Sequence, residues 1–252
     1  MIRPIVVTGA ASGIGAATAA TLRANGQTVI GVDRRGSDID ADLGSPDGRS
    51  AMYDAVASAA PGGIAAILAG AGVSPPIDAA TIVSVNYFGA VATLERLRPL
   101  LAGAEHPRAV LIASSAILNV VHHDIIAACL RGDEGVAREI ARQRPENAYA
   151  SSKRALAHWM RAEAAGWARS GTLLNGVAPG VIRTAMTIPL LETSEGRERL
   201  TKAVPSAIGR AGEAAEMAEL IAFLLTMRSG LMVGQMLFAD GGTDVILRPN
   251  MP

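Results

Sequence analysis

Short β-branched runs alternate with longer alanine-rich amphipathic stretches along almost the whole chain, the trace that successive strand-helix-strand units leave in a sequence. Candidate strands run from Pro4 to Thr8, Thr28 to Asp33, Ile64 to Leu68, Ala109 to Ser114, Leu173 to Val177 and Met236 to Ala239, with a weaker extended piece near Ile39. Their nearly unbroken apolar character suits strands covered on both faces, as in a parallel sheet. Between them, helical spacing predicts helices over Gly15 to Asn25, Pro46 to Ala60, Val83 to Leu101, Tyr149 to Ser170 and Glu213 to Met227. Gly26 and Gly103 stand where helices stop. The expected fold is α/β: a single-domain, Rossmann-like doubly wound parallel sheet with helices on both faces, spanning residues 1–252.

Two stretches break the rhythm. Within residues 119–145, the segment from His122 to Arg144 is charged and amphipathic, which predicts one or two helices with a break at Gly132. Residues 181–212 read as a loop in which Pro189, Pro205 and several glycines are interleaved with Met186, Ile188, Leu190 and Leu191. Loops this long in a compact domain are usually functional, so this one is expected to border the substrate. Neither stretch is flanked by linker composition, and no domain boundary is drawn.

Composition excludes several classes. The 252 residues are 50% hydrophobic and 18% charged, with 23 Lys+Arg against 23 Asp+Glu, so neither disorder nor an electrostatic nucleic-acid partner is expected. The longest apolar candidate for a membrane span, Ala109 to Val121, is interrupted by Ser114, Ser115 and Asn119. Cys129 is the only cysteine, and the start, MIRPIVVTGAASG, carries no apolar leader; a soluble, cytoplasmic protein is expected. The neighbouring His122, His123 and Asp124 lack further His or Cys to complete a metal site, so no metal is expected. Cys129 reads as a small core residue and His158 as a packing residue of its helix.

The first strand runs into Thr8-Gly9-Ala10-Ala11-Ser12-Gly13-Ile14-Gly15 and then a helix. Glycines here allow a tight turn and close approach to a pyrophosphate that faces the helix N-terminus. Asp33 ends the second strand eighteen residues after Gly15, near the spacing of a carboxylate that binds a ribose 2′-hydroxyl and repels a 2′-phosphate. That favours NAD over NADP, although Arg34 and Arg35 offer cations for a 2′-phosphate. Asp42, with Leu43 beside it, either approaches the adenine or is a solvated turn acid.

The chain has three tyrosines and only two lysines, Lys153 and Lys202, yet Tyr149 and Lys153 stand four apart. On a helix that spacing puts both on one face, where a cation favours the phenolate and brings a proton acceptor toward working pH.

Taken together, Thr8-Gly9-x-x-x-Gly13-x-Gly15, Asn86, Ser115, Tyr149-x-x-x-Lys153 and Asn175-Gly-Val-Ala-Pro179-Gly180 resemble, in order and over nearly the full length, the short-chain dehydrogenase/reductase family. Val83-Ser-Val-Asn86-Tyr-Phe-Gly89, Asp240-Gly-Gly242 and Arg248-Pro249 look closest to its bacterial 3α-hydroxysteroid dehydrogenase/carbonyl reductase subgroup. The resemblance implies hydride transfer between NAD(H) and a secondary alcohol or ketone on a hydrophobic, cyclic or steroid-like scaffold. It implies Tyr149 as the acid/base, Lys153 as the group that lowers its pKa and holds the nicotinamide ribose, and Asn86 at a helix kink holding a relay water. Ser114 and Ser115 are equivalent donors by chemistry; the second matches the family position, so the resemblance implies Ser115. Pro179, Gly180, Ile182 and Thr184 resemble the loop that meets the nicotinamide.

Two departures stand out. Ala69-Gly70-Ala71-Gly72 replaces the family's Asn-Asn-Ala-Gly, leaving Ala71 and Gly72 to meet the adenosine through backbone. Ser115 and Tyr149 are 34 residues apart instead of roughly a dozen, which makes residues 119–145 a helical insertion beside the cleft and the family's tetramer face. A homodimer or homotetramer is expected. The rival expectation is a non-catalytic, nucleotide-binding member of the fold that acts through a protein partner.

Overall fold

A computed structural model describes residues 3–251. Its strands are β1 (Ile5–Thr8), β2 (Val29–Asp33), β3 (Ile39–Asp40), β4 (Ala66–Ala69), β5 (Arg108–Ile112), β6 (Leu173–Pro179), β7 (Ile182–Arg183), β8 (Gly212–Glu213) and β9 (Met236–Ala239). Seven form one parallel sheet in the order β3-β2-β1-β4-β5-β6-β9, and β7 pairs with β8 separately. The chain starts at β1, winds outward to β3 and returns on the other side at β4. The strand order therefore reverses between β1 and β4, where a crevice opens at the C-terminal strand ends.

Helices cover both faces. They are α1 (Gly13–Ala24), α2 (Pro46–Ala59), α3 (Ala79–Val83), α4 (Ala90–Leu97), α5 (His123–Leu130), α6 (Glu134–Gln143), α7 (Ala148–Arg169), α8 (Ile188–Leu191), α9 (Ser194–Ala203), α10 (Ala214–Thr226) and α11 (Thr243–Leu247). The two-residue period of the strands divides the core. Ile5, Val7, Leu68 and Val110 pack with Leu22 of α1 and Met217 and Ile221 of α10. Val6, Ile67, Ala109 and Leu111 pack with Met52 of α2, Leu94 of α4 and Leu156 and Met160 of α7. Truncating one such fully buried side chain, Leu111→Ala, removes packing that costs about 2–5 kcal/mol.

Three expectations change. The single helix expected over Val83 to Leu101 is α3, a π-helical turn at Ser84–Gly89, α4 and a 3₁₀ turn at Arg98–Leu101. Periodicity alone does not register one extra residue in a turn. The stretch expected as a loop over residues 181–212 holds α8 and α9; α9, SEGRERLTKA, carries no apolar stripe and begins where the Thr193 hydroxyl accepts from Gly196 N at 3.1 Å. His158 is exposed on α7 and does not pack inward.

The segment from His122 to Arg144 does form two helices that turn at Gly132, whose φ is 76°. Asp133 caps α6 by accepting from Val136 N at 3.0 Å. Ile125, Ile126 and Cys129 of α5 and Ala137 and Ala141 of α6 join the core shared with α7. Burial pushes the Cys129 thiol up to about 12. Among the described residues, no helix is long and apolar enough to cross a membrane.

Candidate active site

The crevice is a cleft of about 800 Å³ at the C-terminal strand ends. At its centre, the Thr8 hydroxyl accepts from Gly70 N at 3.1 Å and Ala71 N at 3.2 Å, tying the turn after β1 to the turn after β4. Gly9 has φ 78°, and a Cβ there would lie 2.9 Å from Ala71 N. A Cβ on Gly15 would lie 2.0 Å from the Gly9 carbonyl oxygen, so α1 can begin against this turn only with glycine there. Ser12, Gly13 and Ile14 also face the cleft. Ser12 makes no side-chain cap, and the first turn of α1 carries no acid, which leaves open N–H groups suited to an anion.

Beyond α1, the Asp33 carboxylate ends β2. It accepts from Ala11 N at 3.0 Å and Arg34 N at 2.7 Å, which fixes its orientation while leaving lone pairs for hydroxyl donors. Arg34 lines the cleft with it. Asp42 and Leu43 form the next part of the wall, and the Asp42 carboxylate closes its own turn by accepting from Gly44 N at 2.9 Å. Ala71 and Gly72 lie opposite in the lining.

Tyr149 and Lys153 project from the first turns of α7 into the other end of the cleft. Lys153 is 4% exposed, and its Nζ donates to Ile112 O at 2.7 Å; burial pushes the ammonium down to about 8. Burial also pushes the Tyr149 phenol above its usual value, opposed by a hydrogen bond from Ser114. Gly72 backs Lys153, since a Cβ there would lie 3.3 Å from Nζ. Pro179, Gly180, Ile182 and Thr184 close the far side. Thr187 braces this loop, donating to Ile182 O and accepting from Thr184 N at 3.1 Å.

Residues 3–126 match the family model described as short chain dehydrogenase, and residues 136–244 match the one described as Enoyl-(Acyl carrier protein) reductase. The chain is 37% identical to a 3-alpha-hydroxysteroid dehydrogenase/carbonyl reductase of Comamonas testosteroni, covering 97% of this chain and 98% of the relative. This chain is a short-chain dehydrogenase/reductase. It is 33% identical to a coniferyl-alcohol dehydrogenase of Pseudomonas sp. (strain HR199 / DSM 7063), over 95% and 96% of the two chains. Its fold superposes on the crystal structure of the 3-alpha-hydroxysteroid dehydrogenase from Pseudomonas sp. B-0831 complexed with NADH, with TM-score 0.93 and 37% identity, over 98% and 99% of the chains. The chain is thus an oxidoreductase of this family.

Within this dehydrogenase the residues expected to hold a nucleotide, from Gly9 to Thr184, all reach one cleft, but two expected catalytic side chains do not. Ser115 is 1% exposed, and its hydroxyl donates to Pro179 O at 3.0 Å. A serine has one proton to donate, and this one is spent on the backbone. Ser114 faces the cleft instead; its Oγ accepts from Ala116 N at 3.1 Å, which leaves its O–H to donate at the Tyr149 end of the cleft. Asn86 is 0% exposed, and its amide grips the backbone of one residue, accepting from Val73 N at 2.8 Å and donating to Val73 O at 2.9 Å. The kink expected there is the π-helical turn, while the side chain shapes the turn after β4 rather than the cleft surface. Lys153, expected to lower the Tyr149 pKa, has its Nζ held on Ile112 O, while burial outweighs the lowering influence of Ser114 on the phenol.

The sequence reading passed over Thr8 and Thr187 as loop braces, and over Arg49. Arg49 is 6% exposed and pairs with Glu134 of α6 at 2.7 and 2.8 Å while its Nε donates to Leu43 O at 2.8 Å. Only the spacing of polar residues against apolar periodicity marks such positions, and that signal does not name partners 85 residues apart. His122, set aside as a metal ligand, contacts Glu146 at 3.1 Å. Among the described residues no group of three or more His, Cys, Asp or Glu side chains is placed to hold a metal ion.

Proposed function

We propose that this protein is an NAD(H)-dependent dehydrogenase/reductase that interconverts a secondary alcohol and a ketone on a hydrophobic, cyclic or steroid-like scaffold. The observation that carries the reading is the meeting, in one cleft, of a glycine cradle at a helix N-terminus, the Asp33 carboxylate, and Tyr149, Lys153 and Ser114. The cradle fits a dinucleotide, because glycine at 9 and 15 lets the turn pack tightly on the Ala71 and Gly9 backbone while the uncapped first turn of α1 keeps its N–H groups for phosphates. When bound, the cofactor supplies a nicotinamide carbon that gives or accepts the hydride.

Tyr149 exchanges the proton of the substrate oxygen, taking it from an alcohol or giving it to a carbonyl. Ser114, not Ser115, donates a hydrogen bond to that oxygen and stabilises the charge that develops on it. Lys153 presents an ammonium at this end of the cleft, where it reaches the nicotinamide ribose. Asn86 acts by positioning Val73. Asp33 accepts from ribose hydroxyls and disfavours a 2′-phosphate, supporting NAD, and the NADH in the Pseudomonas sp. B-0831 structure points the same way. The exposed, apolar Met186 in the cleft lining supports a hydrophobic substrate, as do the hydroxysteroid and the coniferyl alcohol in the names of the two relatives. Residues 119–145 are the helical insertion and 181–212 the substrate loop of a cytoplasmic homo-oligomer.

The test is absorbance at the reduced-nicotinamide band with steroidal, monocyclic and aryl alcohols and ketones, NAD and NADP run in parallel. Turnover of a cyclic alcohol with NAD supports the reading. NADH binding without turnover of any member of the panel contradicts it.

A further inference from the structure

Helix α6 reaches the cleft from the segment that the fold's strand-helix alternation does not require, and one of its side chains enters the lining. Arg138 stands there with Ser84 and Val85 of the π-helical turn and with Gly44. Its Nη1 donates to Ser84 Oγ at 3.3 Å. Among the described residues it makes no ion pair, because Glu134, one helical turn earlier, is taken by both Nη atoms of Arg49. The position along the cleft follows from contacts. Arg49 binds Leu43 O at 2.8 Å and Ser84 O at 3.3 Å, so the Leu43 turn, the π-helical turn and α6 meet around one guanidinium. A Cβ on Gly44 would lie 3.2 Å from Val85 Cγ2, which brings the Asp42-Leu43-Gly44 turn against the same wall. Tyr149 and Lys153 stand on a different helix at the nicotinamide end of the cleft.

We propose that Arg138 binds the purine of an adenine dinucleotide, making α6 a wall of the cofactor pocket rather than only a cover for the substrate side. The inference rests on the proposed NAD(H) site and adds a residue to it. An unpaired guanidinium with its planar face and donors beside an apolar wall of Leu43 and Val85 is chemically suited to a purine, which offers a π-face and ring-nitrogen acceptors. The Arg49–Glu134 pair fixes α6 to the Leu43 turn, so the guanidinium is delivered by a braced helix and little of its binding is lost to ordering the segment.

The experiment titrates NADH, ADP-ribose and reduced nicotinamide mononucleotide into the intact protein, read by quenching of Trp159 and Trp167 on α7 for the reduced nucleotides and by displacement of NADH for ADP-ribose. Arg138→Ala should weaken NADH and ADP-ribose by the same factor, roughly 3- to 30-fold, and leave the purine-free mononucleotide unchanged. Arg142→Ala removes the same charge from an exposed position of α6 and should change none of the three. Arg138→Lys should recover only part of the loss, because an ammonium lacks the planar face. Equal NADH affinity in wild type and Arg138→Ala overturns the inference, as does an equal loss for the purine-free mononucleotide. A wild-type protein that binds no NADH contradicts the proposed function itself.

Discussion

Adjacent serines at the end of β5 give the sharpest separation between chemistry and scaffolding, because the structure gives their hydroxyls different duties. Ser114 presents its O–H in the cleft at Tyr149, whereas Ser115 is 1% exposed with its proton on Pro179 O at 3.0 Å. Ser114→Ala removes one donor from an oxygen that gains charge in the transition state, a loss of roughly 10²–10³ in kcat. The cost in stability should be about 1 kcal/mol, since the bond to Ala116 N that it breaks is the cap of one 3₁₀ turn. Ser115→Ala leaves the Pro179 carbonyl without its buried donor, which costs about 1–3 kcal/mol of stability. For a chain of this length that lowers the thermal midpoint by about 2–4 °C per kcal/mol. The assay is steady-state turnover of a ketone with NADH, paired with thermal unfolding of each variant. A Ser115→Ala enzyme slowed a hundredfold beside a fully active Ser114→Ala enzyme would refute the reasoning and restore the second serine to the catalytic role.

Other outcomes follow from the same geometry. Asp33→Asn should weaken NADH roughly tenfold and narrow the preference over NADPH, measured by parallel titrations, because a charged acceptor for ribose hydroxyls is lost while Arg34 remains beside the site. Burial of Lys153 lowers its pKa from 10.5 to about 8, so between those values this group holds more protons in the unfolded chain than in the folded one, and its own contribution to stability rises with pH. The urea midpoint of the cofactor-free wild type, taken relative to that of Lys153→Met, should climb from about pH 8 to 10.5, because the raised Cys129 thiol opposes the climb equally in both proteins; a flat difference would contradict the burial. Burial raises the Glu134 carboxyl, but hydrogen bonds from Arg49 and Ser84 and the charges of Arg49 and Arg138 outweigh it, leaving the pKa below 4.5. The stability this adds is complete above 4.5 and is lost as pH falls through the lowered value. Glu134→Ala should strand Arg49 and cost roughly 3 kcal/mol at pH 7, the lower end for breaking a buried pair since Glu134 keeps some solvent contact; equal urea midpoints for variant and wild type would refute the brace.

What the sequence made legible was what local rules control. The glycine turn, Asp33 at a strand end and the Tyr149–Lys153 spacing each rest on contacts within one strand-helix unit, and all of them reach the cleft. The two serines were not separable, because a strand that ends at Ile112 continues extended through Ser114, at φ −173°, before the 3₁₀ turn reverses the direction of Ser115. Family position pointed to one serine and backbone direction delivers the other. The π-helical turn at Ser84–Gly89 and the polar helix α9 were hidden for a related reason: one shifts the period by a single residue, and the other has no apolar face to show. Arg49 meets Glu134, and Arg138 meets Ser84, only through the tertiary packing of α6 against α2 and the π-helical turn, which no spacing along the chain encodes.

Tyr149 is the proposed proton carrier, and the direct measurement compares Tyr149→Phe with wild type for NADH affinity and for ketone reduction in the same preparation. The substitution removes one phenolic oxygen and keeps the ring that fills the start of α7. NADH affinity within about twofold of wild type, with turnover reduced by at least the roughly 10²–10⁴-fold that a positioned acid/base supplies, is the predicted result. Turnover that survives the loss of the hydroxyl would place the proton transfer on another group and contradict the central claim.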